Sequence, residues 1–123
     1  MGKIGKLEEI KAWQEARELV KEIYSATSKG KFAKDFGLRD QIRRASVSVM
    51  SNVAEGYARS SDKEFARFLG IALGSTAEVQ SQLYVARDLK YITNNDFDSL
   101  YNRCSKTAKL ITGFINYLKN APR

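Results

Sequence analysis

Five polar residues in the stretch QIRRASVSVMSNVAEG are the first in this chain whose types and spacing could do chemistry. Gln41, Arg44, Ser48, Asn52 and Glu55 recur every three or four positions, so on a helix they fall within about an 80° arc. A second stripe follows in Glu64, Arg67, Ser75, Glu78 and Gln82. Carboxylates, guanidinia and hydroxyls on neighbouring helices are the groups that acid–base catalysis uses. An active site would also need a nucleophile beside a base, or a phosphate-binding loop, and neither accompanies them. The segment GIALGS lacks the P-loop lysine and reads as a close-packing ridge.

The alternative to a catalytic site is a polar seam between helices. Arg44 or Arg67 would pair with Glu55 or Glu78, because a buried charge needs a partner to offset its desolvation. Loss of Glu55 or Glu78 would then strand an arginine and weaken folding or assembly. Ordinary solvated surface competes with this reading, and periodicity alone leaves the two open.

Composition narrows the chemistry further. The chain has 123 residues and no histidine, which excludes histidine-based triads, zinc-protease motifs and histidine-containing zinc fingers. One cysteine, Cys104, permits neither an internal disulfide nor a cysteine metal cluster and suits a reducing cytoplasm. It sits mid-way along an apolar face, where a buried, inert thiol is the common case. No cofactor, metal or enzymatic activity is expected. No apolar run approaches a membrane span and the N-terminus is too charged for a signal peptide, so the expectation is a cytoplasmic protein.

Twenty-one basic residues against fourteen acidic leave a net charge of +7, a balance that favours acidic partners, nucleic acid first. Residues 99–123 hold Arg103, Lys106 and Lys109 among their cations and no acid. Arg59 and Lys63 flank a turn. These five are the candidate contacts to RNA or DNA. No aromatic RNA-binding motif accompanies them, so contact should be with phosphates and independent of base sequence. A protein–protein adaptor with incidental charge is the competing reading.

The elements that must position these residues are helical. Leu7, Ile10, Trp13, Ala16, Leu19, Val20, Ile23 and Tyr24 follow helical spacing, predicting a helix over roughly 6–28, with Gly30 as its stop and SKGKFAKDFG, residues 28–37, as the loop. The second helix spans roughly 38–59. Ser61 with Glu64 three residues on is a capping-box pattern opening a third, 61–90. Thr93 is a candidate N-cap for the fourth, 94–119. Trp13, Phe65 and Phe68 sit at core spacing. Four amphipathic helices with short connections and no alternating strand pattern predict a single all-α domain over 1–123, an antiparallel up-down four-helix bundle.

Two helices are apolar on more than one side. Beside its core face of Leu38, Ile42, Ala45, Val49 and Val53, the second carries Val47, Met50 and Ala54. The third carries a ridge of small residues, Gly70, Gly74, Ala77 and Ser81. Glycine inside a helix costs about 1 kcal/mol against alanine, which is reasonable where another backbone approaches. The partner suggested is another copy of the chain.

Whole segments carry a family resemblance. WQEA, FGLRDQIRRASVSVMSNVAEGYAR and EFARFLGIALGSTAEVQSQL resemble, in order and over essentially the full chain, the bacterial 23S rRNA intervening-sequence four-helix-bundle proteins. Ser48–Asn52–Glu55–Gly56 and Gly74–Ser75–Glu78 are the most specific parts. That family was once mislabelled ribosomal because its genes lie in inserts within 23S rRNA genes. The resemblance implies a left-handed bundle assembling into a ring-like homopentamer, with the stripe as a structural signature fixing helix or subunit register. A more distant resemblance is to the accessory proteins of diversity-generating retroelements, which are basic pentameric bundles that bind nucleic acid and a reverse transcriptase. At Met50 the family more often has proline, so the departure concerns a local helix kink.

Overall fold

The computed structural model describes residues 5–120, and they form helices joined by short connections. Leu7–Glu9 is a 3-10 turn, followed by α1 (Lys11–Ala26), α2 (Gly30–Lys34), α3 (Phe36–Tyr57), α4 (Asp62–Asp88) and α5 (Asn94–Asn120). Among the described residues there is no strand.

The first predicted helix is broken near its start. Ile10 is extended at φ −76° and ψ 117° and is buried, while its N–H closes the 3-10 turn on the Leu7 carbonyl. Burying the isoleucine outweighs continuing the helix, and Gln14 Nε2 ties the turn down by donating to the Glu8 carbonyl at 2.7 Å. At the other end Thr27 closes α1, its hydroxyl donating to the Ile23 carbonyl at 2.7 Å.

The predicted loop holds the short helix α2. Gly30 enters it at φ +53°, a left-handed conformation that glycine adopts without a Cβ clash. Phe32 is fully buried and stacks on Tyr91 at 5.5 Å, plugging one end of the bundle. A single apolar anchor in a five-residue helix gives too short a pattern for periodicity to detect.

Caps set the remaining boundaries. Asp35 accepts from the Leu38 N–H at 3.1 Å, starting α3 two residues before the predicted Leu38. Ser61 accepts from the Glu64 N–H at 3.1 Å and Thr93 from the Asp96 N–H at 3.0 Å, as their N-cap positions predict. Only half of the capping box forms, because the Glu64 carboxylate turns to Arg67 instead. Helix α4 ends with the Tyr91 N–H on the Ala86 carbonyl and the Lys90 N–H on the Arg87 carbonyl. That is a Schellman closure with Lys90 at φ 62°, where glycine is usual.

The core shows how the helices run. One cluster joins Leu19 and Ile23 of α1, Ile42 of α3, Val79 and Leu83 of α4, and Leu100 and Cys104 of α5. The other joins Ala12 and Ala16, Val49 and Val53, Phe65 and Leu69, and Ile111 and Leu118. Late α1 thus meets early α3, late α4 and early α5, which is up-down-up-down antiparallel packing. Helix α3 packs on α4, α4 on α5, and α1 on both α3 and α5.

Candidate functional site

The two polar stripes meet along the α3–α4 contact, but only their middle is joined. Ser48 Oγ and Ser75 Oγ lie 2.9 Å apart, bridging the helices. Asn52 Nδ2 donates to the Ser48 carbonyl at 2.9 Å and to its hydroxyl at 3.0 Å. Ser75 is buried, and Ser48 and Asn52 are half-buried. One turn beyond Glu78, Gln82 is buried, and its Oε1 accepts no hydrogen bond among the described residues.

The charged members of the stripes do not pair across the helices as their alternation predicts. Glu55 Oε2 takes Arg59 Nη2 at 3.4 Å, and Glu64 takes Arg67 Nε at 3.2 Å, each one turn along its own helix. Both pairs are exposed, so no desolvation cost forces a cross-helix partner, and the nearer one prevails. The hydrogen bond from Arg67 is the main reason the Glu64 carboxyl lies below its usual value; it outweighs the opposing effect of burial, and the charges of Arg67, Arg59 and Lys63 add attraction. Gln41, Arg44 and Glu78 are exposed and line, with Ala45 and Ser48, a shallow polar hollow of about 220 Å³. Arg44 and Glu78 form no ion pair among the described residues.

The faces expected to meet a partner differ in kind. Gly70, Gly74, Ala77 and Ser81 are all exposed, and a Cβ placed on Gly70 or Gly74 would meet nothing within 4 Å. Ile71, Val85 and Leu89 flank them on the same outer side and stay more than two-fifths exposed. On α3 the second face is narrower than predicted. Val47 is exposed, whereas Met50 and Ala54 are half-buried and Met50 packs against the core. Inside the chain, close approach between helices occurs at Gly56, where a Cβ would lie 2.7 Å from Phe65 Cδ1.

The candidate nucleic-acid contacts divide. Arg103 Nη1 donates to Glu15 Oε1 at 2.8 Å and Nη2 to Glu22 Oε2 at 2.7 Å. Lys106 Nζ also reaches Glu15, at 3.2 Å. These two cations are therefore neutralised by α1, and sequence reasoning missed Glu15 and Glu22 as their partners. Their spacing of seven residues was the available signal, since it places them on one face of α1. Burial would raise the Glu15 carboxyl, but hydrogen bonds from Arg103 and Lys106 hold it below its usual value. Arg59 pairs with Glu55 and lies over the Phe68 ring at 4.7 Å. Lys63 and Lys109 are exposed and form no ion pair among the described residues.

Of the aromatic residues expected in the core, Phe65 is fully buried. Trp13 and Phe68 are half-buried at its rim, with Arg17 over the indole at 5.7 Å and Arg67 over the phenyl ring at 4.5 Å. Burial, and then the Glu22 charge, push the Cys104 thiol up to about 12, so it is not a thiolate at neutral pH. Among the described residues no group of three or more cysteine, aspartate or glutamate side chains could hold a metal ion.

A family model described as 23S rRNA-intervening sequence protein matches residues 8–113. The chain is also similar to a crystal structure of a protein of unknown function from the S23 ribosomal protein family of Bacteroides thetaiotaomicron. The two share 25% sequence identity at a TM-score of 0.78, over 85% of this chain and 97% of that one. No curated protein matches.

Proposed function

This chain belongs to the 23S rRNA-intervening sequence protein family, and we propose that it acts without catalysis, as a cytoplasmic helical scaffold. In this reading copies assemble into a ring-like homopentamer that holds RNA or DNA on basic surfaces. The outer side of α4 carries the assembly half of the proposal. Ile71 lies exposed beside Gly70 and Gly74, whose missing side chains face open space, and Val85 and Leu89 lie exposed farther along the same side. Nothing inside the bundle repays the helix-propensity cost of Gly70 and Gly74, about 1 kcal/mol each. Close approach of another copy would. Arg44 and Glu78, which form no ion pair among the described residues and lie next to this face, are then available to a neighbouring subunit, while the Ser48–Ser75 bridge fixes the register that presents them. The number five comes from the family resemblance.

A ring of identical subunits uses two different patches per copy, so one charge on α4 should break every contact. Gly74→Glu fits the isolated chain. It should leave the helical circular dichroism unchanged and reduce the mass seen by light scattering to that of one subunit. A wild-type monomer at micromolar concentration would refute assembly, and a stable tetramer or hexamer would reject the count.

The nucleic-acid half rests on the net charge, +7 per chain and so +35 for five. Retention of RNA or DNA should fall by ~0.7 in log affinity per log salt for each single-strand phosphate contact. Absence of retention even at low salt would leave the adaptor reading, with a reverse transcriptase or another protein as partner. No helix among the described residues is long and apolar enough to cross a bilayer.

A further inference from the structure

We propose that the corner formed by the end of α1, α2 and the start of α3 is a binding surface for single-stranded nucleic acid, with arginine-backed aromatic rings as its stacking platforms. This rests on the nucleic-acid reading above and places the contact away from the residues that charge counting along α5 selects. Residues 29–44 hold six basic and two acidic residues, a surplus of four in a chain whose total is +7.

Neither acid neutralises the lysines of this corner. Asp35 Oδ1 caps α3 and its Oδ2 accepts the Tyr91 hydroxyl at 3.0 Å. Asp40 takes Arg39 Nε at 2.9 Å. Lys31 and Lys34 are exposed and form no ion pair among the described residues. Arg43 donates to Thr27 Oγ1 at 2.7 Å and Ser28 Oγ at 3.1 Å and forms no ion pair among the described residues, so its charge is fixed in place without being cancelled.

The same arginines carry flat apolar groups. Arg39 lies 4.7 Å over the Phe36 ring and Arg43 4.5 Å over the Tyr24 ring. Arg39 is further steadied by donating to the Ala33 carbonyl at 3.1 Å. Arg39 and Arg43 are one turn apart, so both stacks lie on one side of α3. Phe36 remains 63% exposed and Tyr24 41%, and Phe36 contributes to neither core cluster. Cations interleaved with exposed aromatic rings match unpaired bases on a phosphate chain, because every base has a π-face and a duplex hides it. A purely acidic partner would use the cations and leave the rings unexplained.

The test is fluorescence anisotropy of the full chain with labelled oligouridylate, oligothymidylate and a duplex of equal length. Wild type should favour both single strands over the duplex, and a difference between the two strands would distinguish RNA from DNA as the ligand. Phe36→Ala should weaken single-strand binding roughly 5- to 150-fold, the range for losing one stacked base. Lys31→Gln with Lys34→Gln should lower the salt slope by ~1.4, two contacts at ~0.7 each. Light scattering and circular dichroism should match wild type for both variants. Binding lowered by Lys63→Gln and Lys109→Gln but untouched at the corner would overturn this placement while leaving the nucleic-acid reading standing. Absence of binding by any probe at low salt would remove both. A change of assembly state with Phe36→Ala would overturn the proposal by showing that a second copy covers the ring.

Discussion

Replacing Gly56 and Gly113 by alanine should move stability in opposite directions, although both glycines lie inside helices. A Cβ on Gly56 would lie 2.7 Å from Phe65 Cδ1, 3.0 Å from Phe68 Cβ and 3.1 Å from the Phe65 carbonyl oxygen. The ring cannot step aside freely, because Phe65 is fully buried and packs edge-on against Phe114 at 4.9 Å. The carbonyl belongs to α4 and moves only with it. Such overpacking costs ~1–3 kcal/mol. The helix-propensity gain of up to about 1 kcal/mol offsets it only in part, and less near a helix end. The net loss is about 1–2 kcal/mol, a fall in Tm of roughly 3–10 °C at this chain length. Gly113 has nothing within 4 Å of its would-be Cβ, so Gly113→Ala should gain up to about 1 kcal/mol. Thermal melts followed by circular dichroism at matched concentration give both numbers, since assembly would add to apparent stability. Gly56→Ala melting at or above wild type would refute the claim that α3 and α4 approach each other through this glycine.

The seam makes a second prediction. Ser75→Ala should cost about 1 kcal/mol, and adding Ser48→Ala should cost little more, since removing both partners of a hydrogen bond can be nearly neutral; strict additivity in urea melts would show that the bridge contributes nothing. Glu55→Ala should stay within about 1 kcal/mol because its pair with Arg59 is exposed. A third concerns acid. Glu15 is held below its usual value in the folded chain, so its stabilising effect is complete above the unfolded pKa of about 4.3. That effect fades as pH falls through the lower folded value. Glu15→Gln should flatten the acid-side decline in stability, and identical pH profiles for the two proteins would refute the role given to Arg103 and Lys106.

The bundle was legible because its helices announce themselves by faces and caps. Ser61 and Thr93 cap where the residue types say they should, and core positions such as Leu19, Val53, Leu69 and Ile111 follow the apolar period. Local pattern failed where tertiary burial decided the backbone. Ile10 leaves the helix to bury its side chain, and Phe32 recruits five residues of an apparent loop to close the bundle end. The seam was half legible for a related reason. Periodicity put Ser48, Asn52 and Ser75 on one contact, but it ranks positions by angle and not by depth. It could not separate the buried and half-buried hydroxyls of the middle from the solvated carboxylates at 55, 64 and 78.

The distribution of charge was the hardest feature to read, because neutralisation happens in space. The fourth predicted helix has no acid beyond residue 98, which made Arg103, Lys106 and Lys109 look like the basic face of the protein. Once α1 lies against α5, Glu15 and Glu22 occupy Arg103, and Glu15 also meets Lys106. Counted alone, α1 has three bases and three acids, yet part of its acid serves another helix. The surplus must then appear where cations outnumber the carboxylates that can reach them. Around α2 one aspartate is spent on a cap and a tyrosine, and the other on Arg39. An excess of positive charge therefore acts at the corner that also exposes Phe36. If nucleic acid binds this bundle, physical chemistry favours that end of it.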